Sequence, residues 1–474
     1  MTASAPQRAA SVSKQLAHAL ATARLADMPD GVVAEAERAV LDWFGSALAG
    51  AIERPALVCR QVVSALGASN EATVFLAGRA SAAGAALANG VAAHILELDD
   101  IHKASTVHAG APVIAAAFAV AERERAASPD FLLAVIVGYE AALRVGEAVN
   151  PSHYRFWHPT GTAATFGAAV AAGSLLHLGP DRMLDALGTA GTQAAGLWEF
   201  NADGAMSKPL HAGKAAFNGV LAADLAARGF SGATRILEGP RGFFAATSST
   251  SDPTRITDGL GSRWKIRENC YKVHSCCAHT HAAIDLAIEL RTRHDYPRQD
   301  GVGRIADVHV ETYGPGFAIV NEPDPGTPAR AQFSMTYCVA VGLAEGEAGL
   351  AQFAESRFDT SGVRDPAVAA LMRRTRVTVD DGLTRRYPAA WPARLTVTLD
   401  DGTVLRGAAD FPRGNPERAL STADLEHKFL DLLGGRFGQN RARSALAAAR
   451  ATVGGATVAS AISDHAPWAV HSAW

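Results

Sequence analysis

The chain has 474 residues, more than one hydrophobic core usually organises, so two domains are expected. Hydrophobic residues make up 48 % and charged residues 19 %, a balance that excludes a disordered chain. With 44 basic and 47 acidic side chains the formal net charge is −3, which excludes a broad basic footprint for nucleic acid.

Any anion site must then be local, built by gathering a few cations in one pocket. No apolar stretch follows a basic start in residues 1–10, so no signal peptide is expected. Residues 33–49 place Val40, Leu41, Phe44, Ala47 and Leu48 at helical spacing, and Gly50 ends the run. Further helices are expected over 82–96, 111–123, 131–148, 162–176, 181–196 and 213–228, rich in Ala and Gly and separated by Gly-Pro pairs. Small side chains let helix axes approach closely, which predicts an all-helical core. Residues 159–180 carry no Asp, Glu, Lys or Arg, but their Gly, Ala and Thr content suits a buried core helix rather than a membrane span.

After about residue 267 the pattern changes. Residues 307–313 (DVHVETY) and 376–379 (RVTV) alternate as strands do, and 394–407 reads as a hairpin turning at Asp401-Gly402. Helices are expected at 281–294, 334–345 and 365–374, and a purely helical stretch over 421–449. The expected fold class is mainly α: a large helical domain from residues 1–268 and 405–474, with an α+β lid domain, 269–404, inserted in it. Five cysteines, an odd count in a chain of this size, point to reduced thiols and a cytoplasmic location rather than a disulfide framework.

Four polar clusters interrupt the apolar helices. They are Glu97-Leu-Asp99-Asp100-Ile-His102-Lys103 with His108, Arg155-Phe-Trp-His158, Ser207-Lys208-Pro209-Leu-His211, and Lys272-Val-His274-Ser-Cys276-Cys277-Ala-His279-Thr-His281. Ten of the sixteen histidines lie between His94 and His281. Histidine exchanges protons near neutral pH, and lysines among them suit a carboxylate ligand. Each cluster also has a plainer reading: Asp99 and Asp100 as helix caps, Lys208 on a solvated face, the histidines in the core. Neither the CxxC pairs of structural zinc nor the HExxH helix of zincins is present, and no glycine-rich nucleotide loop is found. No metal and no cofactor are therefore expected. A metal-dependent hydrolase built on Asp99, Asp100, His102 and His108 is the alternative.

The segments ANGVAAHILELDDIHKASTVHAG (88–110), RFWHPTGTAATFGAA, GAMSKPLHAGKAAFNG (204–219), KVHSCCAHTHAAID (272–285) and LDWFGSALAG (41–50) together resemble the MmgE/PrpD family, block by block and in order. That family includes 2-methylcitrate dehydratase, cis-aconitate decarboxylase and iminodisuccinate epimerase. The resemblance implies the same helical domain with an inserted lid, a homodimer, and chemistry without a metal. Its decarboxylase-like site would fall on Glu97, Ile101, His108, His158, Lys208 and Cys277. Ile101 stands where the family has Thr, Cys277 where the decarboxylase has His, and Ala109 where Pro is usual. These departures argue against itaconate formation, though decarboxylation of a cis-aconitate-like acid stays an alternative to dehydration or epimerisation.

The reaction expected is proton transfer at a carbon beside a carboxylate of a small di- or tricarboxylic acid. Lys208 and His158 are assigned to electrostatic stabilisation and His108 to acid/base work, with Lys208 and Tyr313 as rival bases. Asp100 or Glu97 orients His102 or His108, and Lys103, His211, Lys272, Cys277, His281 and Tyr313 complete the substrate-binding set. Lys103, Lys208, His108, His158 and His281 are expected to share one cleft between the domains.

Overall fold

Glycine and alanine decide how the first half of the chain packs. The computed structural model describes residues 11–294, 302–360 and 362–465; residues 1–10, on which the absence of a leader was argued, lie outside them. Nine helices of eight residues or more lead the described chain: α1 (Val12–Ala21), α2 (Asp30–Gly50), α3 (Arg54–Ala65), α4 (Ala82–His94), α5 (Gly110–Glu124), α6 (Ser128–Val149), α7 (Pro159–Leu175), α8 (Pro180–Gly191) and α9 (Ser207–Ala227). Helix α7 has no charged side chain and is buried at every position except Ser174, as a central core helix must be. No described helix is long and apolar enough to cross a membrane.

Helix α9 lies directly on α4 and α7. A Cβ added at Gly213 would sit 2.4 Å from the Leu87 carbonyl oxygen, and one at Gly219 would sit 2.4 Å from the Ala168 Cβ. These glycines allow backbone to touch backbone, which fixes α9, the carrier of Lys208 and His211, against α4, which leads into Glu97. Gly213→Ala is therefore expected to cost about 1–3 kcal/mol through overpacking, read as a lower midpoint in urea. An unchanged midpoint would show that the two helices separate freely.

Several elements differ from the sequence reading. Helix α9 begins at Ser207, six residues before the expected start. Pro209 falls in its first turn, where a backbone N–H has no intrahelical partner and its loss is harmless. Helix α8 stops at Gly191 rather than 196, and Gly196 at φ 159° offers its carbonyl to the His158 N–H at 2.9 Å. The first half is not purely helical: a short hairpin pairs β1 (Ala72–Val74) with β2 (Gly78–Ala80), and β3 (Ile101–His102) pairs with β4 (Asn269–Cys270).

The second half supplies a four-stranded sheet of β5 (Ile305–Thr312), β6 (Thr375–Val379), β7 (Ala393–Leu399) and β8 (Val404–Ala409), in the order β8-β7-β5-β6. The β7–β8 pair is antiparallel and turns at Gly402, whose φ of 85° suits glycine. Strands β5 and β6 run parallel, with Val308 opposite Thr375. Leu395, Val397 and Leu399 alternate into the interior, as a sheet with one covered face requires. Helices α10 (His281–Arg293), α11 (Met335–Glu345) and α12 (Pro366–Arg374) belong to the same half. The last helical stretch divides at Gly438, φ 86°, into α13 (Thr422–Phe437) and α14 (Gln439–Gly454).

Two large cores result. One draws on residues between Leu16 and Tyr271 and again on Leu420 to Val458; the other draws on Cys276 to Leu405. A third, small cluster of Ile101, Cys270, Ala278, Tyr313, Leu383 and Trp391 joins them. Beside it lies the candidate site.

Candidate active site

Where α4 ends, the chain must turn back over its own helix, and Glu97 does so in the left-handed region at φ 56°. A non-glycine residue there costs about 1–3 kcal/mol, so its surroundings must hold it in place. They do so with two lysines. Lys208, in the first turn of α9, donates to Glu97 Oε1, and Lys272, just beyond β4, donates to Oε2 at 3.0 Å. Burial by itself would raise the Glu97 carboxyl, but the two ammonium groups outweigh it and hold it below the usual carboxylate range. Two ammonium groups share this one carboxylate, so each keeps donors that a second carboxylate could accept from.

Glu97 and Lys208 border a small chamber between the two cores. The first half of the chain adds Ile101, Thr106, His108, Tyr154, His158 and Trp198, and the second half adds Cys277, Ala278, His279, Phe333 and Trp391. The free space is ≈ 10 Å³, room for about one water. A wider cleft of ≈ 530 Å³ adjoins it and shares Glu97, Lys208 and Phe333 with it. Those three side chains form the wall between cleft and chamber, with the Lys208 ammonium 4.8 Å from the Phe333 ring centroid.

His108 is held in one tautomer. Its Nδ1 lies 2.7 Å from the Asp100 carbonyl oxygen, which can only accept, so Nδ1 carries the hydrogen and Nε2 keeps its lone pair. Burial pushes the His108 imidazole down to about 4, against the pull of Asp99. A neutral imidazole of fixed tautomer keeps one ring nitrogen able to accept a proton. Asp99 stands behind it, its Oδ2 3.4 Å from His108 Nδ1 and accepting the Nδ1–H of His94 at 2.6 Å. The His158 ring is also neutral, driven well below its ordinary range by burial and by His211, whose Nδ1 is 3.2 Å from its own. Burial lifts the Cys277 thiol to about 11, so no thiolate is present near neutral pH.

The sequence-predicted residues divide into three groups. Glu97, His108, His158, Lys208 and Cys277 meet at the chamber. Lys272, His211 and Tyr313 stand one layer behind it, bonded to Glu97, His158 and His279 respectively. Asp100, His102, Lys103 and His281 do not face it. The Asp100 carboxylate is taken up by Tyr139 Oη at 2.6 Å, Asn269 Nδ2 at 2.8 Å and the Gly110 N–H at 2.9 Å. It orients His108 only through its backbone carbonyl. Burial raises its carboxyl to about 7.

His102 turns to the other side of β3, toward Ser105 Oγ at 2.9 Å and Glu268 at 3.3 Å, because successive strand residues point to opposite faces. Lys103 pairs with Glu417 over the Phe411 ring, and His281 is buried beside His274 with its Nε2 3.3 Å from the Cys276 carbonyl. The expected convergence of five Lys and His side chains is thus corrected to three: Lys208 and the two neutral imidazoles of His108 and His158.

Sequence reading passed over Tyr154, which directly precedes the Arg155-to-His158 cluster, and Trp198, Phe333 and Trp391, which have no motif around them, and left His94 and His279 without roles. The His279 signal was present, two residues from Cys277 in the same cluster. Among the described residues, two groups bring metal-type donors within 4.8 Å of one another: His94, Asp99 and His108, and His102, Glu147 and Glu268. Neither is the set of Asp99, Asp100, His102 and His108 that a hydrolase was expected to use. In the first, Asp99 Oδ2 is already the acceptor for His94; in the second, Lys265 Nζ stands 2.6 Å from Glu147 and 3.5 Å from Glu268. Those bonds still leave His94 Nε2 and Asp99 Oδ1 in the first group, and Glu147 Oε2 in the second, buried without a hydrogen-bond partner.

Burial holds His108, His153 and His211 at about 4 and His279 at about 3, below the ordinary histidine value near 6.5. The unfolded chain therefore binds more protons than the native one between about pH 4 and 6.5, and stability rises with pH across that window. Each such group contributes up to about 1.4 kcal/mol per pH unit. Asp100, raised to about 7, pulls the other way. The expected result is a melting temperature that falls steadily from pH 6.5 to 4; a flat curve in calorimetry would mean the histidines are solvated.

Comparison with known proteins gives the family. The MmgE/PrpD N-terminal domain model matches residues 14–256, and the MmgE/PrpD C-terminal domain model matches residues 274–452. The chain belongs to the MmgE/PrpD family and is an enzyme of that family. It is 30 % identical over 389 residues to the cis-aconitate decarboxylase of Aspergillus terreus, covering 77 % of each chain. It is 28 % identical over 447 residues to the human cis-aconitate decarboxylase, covering 88 % of this chain and 87 % of that one. A cis-aconitate decarboxylase-like protein, oryM, of Aspergillus oryzae is 31 % identical over 301 residues, 59 % of this chain and 62 % of its own length.

Proposed function

We propose that the protein is a lyase or isomerase that moves a proton at the carbon beside a carboxylate of a small di- or tricarboxylic acid, without metal or cofactor. The observation that carries this is the neutral, tautomer-locked His108 in the same chamber as the doubly bridged Glu97. Lys208, with Lys272 behind it, receives the substrate carboxylate as Glu97 shares its cations. His108 Nε2 takes the α-proton, and the charge that spreads onto the carboxylate is met by ammonium groups already in place. Five free thiols support a cytoplasmic setting. The homodimer implied by the family resemblance belongs to the same reading and is measurable by sedimentation equilibrium.

Dehydration or epimerisation is the first choice of reaction, because Ile101 and Cys277 border the chamber where the resemblance places Thr and His in the decarboxylase. Decarboxylation of a cis-aconitate-like acid is the second reading, favoured by the names of the relatives. The test is proton NMR in deuterium oxide over a panel of 2-methylcitrate, iminodisuccinate, cis-aconitate and related acids. Exchange or loss of an α-proton supports the assignment, release of carbon dioxide selects the second reading, and neither exchange nor carbon dioxide release with any acid rejects both.

A further inference from the structure

A base that removes a proton from carbon needs an acid partner, because dehydration, epimerisation and decarboxylation all end with a proton delivered to oxygen or carbon. Among the groups at the chamber, Lys208 is bound to Glu97, and burial raises both the Cys277 thiol and the Tyr154 hydroxyl, so either anion needs a hydrogen-bond donor to hold it. His108 is the base. Besides the His158–His211 pair, a longer chain of hydrogen bonds borders the chamber: Tyr154 Oη lies 3.3 Å from His279 Nε2, and His279 Nδ1 lies 2.5 Å from Tyr313 Oη. Tyr154 and His279 both border the chamber, whereas Tyr313 is fully buried behind them.

Hydrogen-bond accounting sets the direction of this chain. The buried Tyr313 hydroxyl has His279 Nδ1 as its hydrogen-bond partner among the described residues. Were Nδ1 to carry the hydrogen, the Tyr313 O–H would be buried with no acceptor, a cost of about 1–3 kcal/mol. Tyr313 therefore donates to Nδ1, the neutral imidazole carries its hydrogen on Nε2, and Nε2–H donates to the Tyr154 oxygen. With its oxygen already accepting that N–H, the Tyr154 hydroxyl keeps its own hydrogen free to point into the chamber. The ring of His279 is fixed by the Trp391 ring at 4.4 Å, and that of Tyr154 by Trp198 at 5.1 Å.

We propose that Tyr154 is the proton donor of the reaction, with His279 and Tyr313 as the positioning residues that stabilise its tyrosinate. This rests on the proton-transfer reading above. His108 Nε2 takes the α-proton from carbon, leaving an enolate; the Tyr154 O–H bond then breaks toward the acceptor. In dehydration the acceptor is the departing hydroxide, which leaves as water. In epimerisation it is the opposite face of the same carbon. The enzyme is left with an imidazolium at His108 and a tyrosinate at Tyr154, which receives Nε2–H from His279. Proton transfer from one to the other through water resets both. Tyr154 comes from the helical half and His279 from the lid, so docking of the lid assembles the donor.

The experiment compares the wild-type enzyme with Tyr154→Phe, His279→Gln and His279→Leu, using the best substrate of the acid panel in deuterium oxide. Tyr154→Phe is expected to lower net turnover at least 100-fold while α-proton exchange, which needs His108 alone, stays within about five-fold of wild type. In His279→Gln the amide N–H of the introduced side chain still reaches toward the Tyr154 oxygen, so this variant is expected to keep at least ten-fold more kcat than His279→Leu at similar KM. Wild-type exchange together with near-normal turnover in Tyr154→Phe overturns the donor assignment and leaves the reading of His108 standing. Equal kcat in the two His279 variants overturns the positioning role. A wild-type enzyme that exchanges no α-proton overturns the reaction class itself, and the donor with it.

Discussion

Lys208→Met is expected to lower kcat by roughly 10²–10³, the usual effect of losing one preorganised group aimed at developing charge, and to leave KM within a few-fold. Lys208 is bound to Glu97 and reaches both the cleft and the chamber. As a proton leaves the α-carbon, negative charge grows on the neighbouring carboxylate. The ammonium then gains more in the transition state than on binding, which places the loss in kcat. Stability should suffer less than activity. Breaking a buried ion pair is severe when a charge is left alone, but Glu97 keeps Lys272 at 3.0 Å. The checks are steady-state kinetics with calorimetry on the variant and on Lys208→Met combined with Glu97→Gln. Neutralising Glu97 as well strips the buried Lys272 of this partner, so the double variant should be less stable than Lys208→Met and no faster. A single variant with near-normal kcat/KM would make Lys208 a structural counter-ion to Glu97 and nothing more.

His108→Asn is expected to cost roughly 10²–10⁴ in turnover and to abolish α-proton exchange together with it. That joint loss separates the base from the donor, whose removal spares exchange. The pH profile gives a second handle. His108 works as a base only when neutral, and burial holds its imidazole at about 4 in the free enzyme. Activity therefore falls as pH drops through about 4 and is flat above about 5 on this limb of kcat/KM. A limb centred near 6.5, the ordinary histidine value, would show that the titrating base is solvated and is not His108. Persistent exchange in His108→Asn would point instead to His94, whose Nδ1–H is held by the same Asp99 oxygen.

Much of this was legible from residue order alone, for a physical reason in each case. Alternation in 307–313 and 394–407 and the Asp401-Gly402 turn are period-two signals carried by neighbouring residues, and the sheet forms there. Strings of Ala and Gly with no charge could only be a core helix, and α7 is one. The family blocks placed Glu97, His108, His158, Lys208 and Cys277 among the candidates, and all five border the chamber.

What residue order could not decide was which way each polar side chain faces. Ile101 and His102 are neighbours on β3, and pleating sends one to the chamber and the other to Glu268. Asp100 and Asp99 are adjacent carboxylates. One is consumed by Tyr139, Asn269 and Gly110, while the other backs His94 and His108. Pro209 reads as a break, yet in the first turn of α9 its missing N–H costs nothing, so Lys208 is helical. Trp198, Phe333 and Trp391 carry no local pattern because the side chains they meet at the chamber come from distant parts of the chain. Composition, periodicity and block order, all local in the chain, determined the fold class and the family of this protein. Orientation, burial and the pairing of Tyr154 with His279 depend on contacts between distant segments, and only the packed structure decided them.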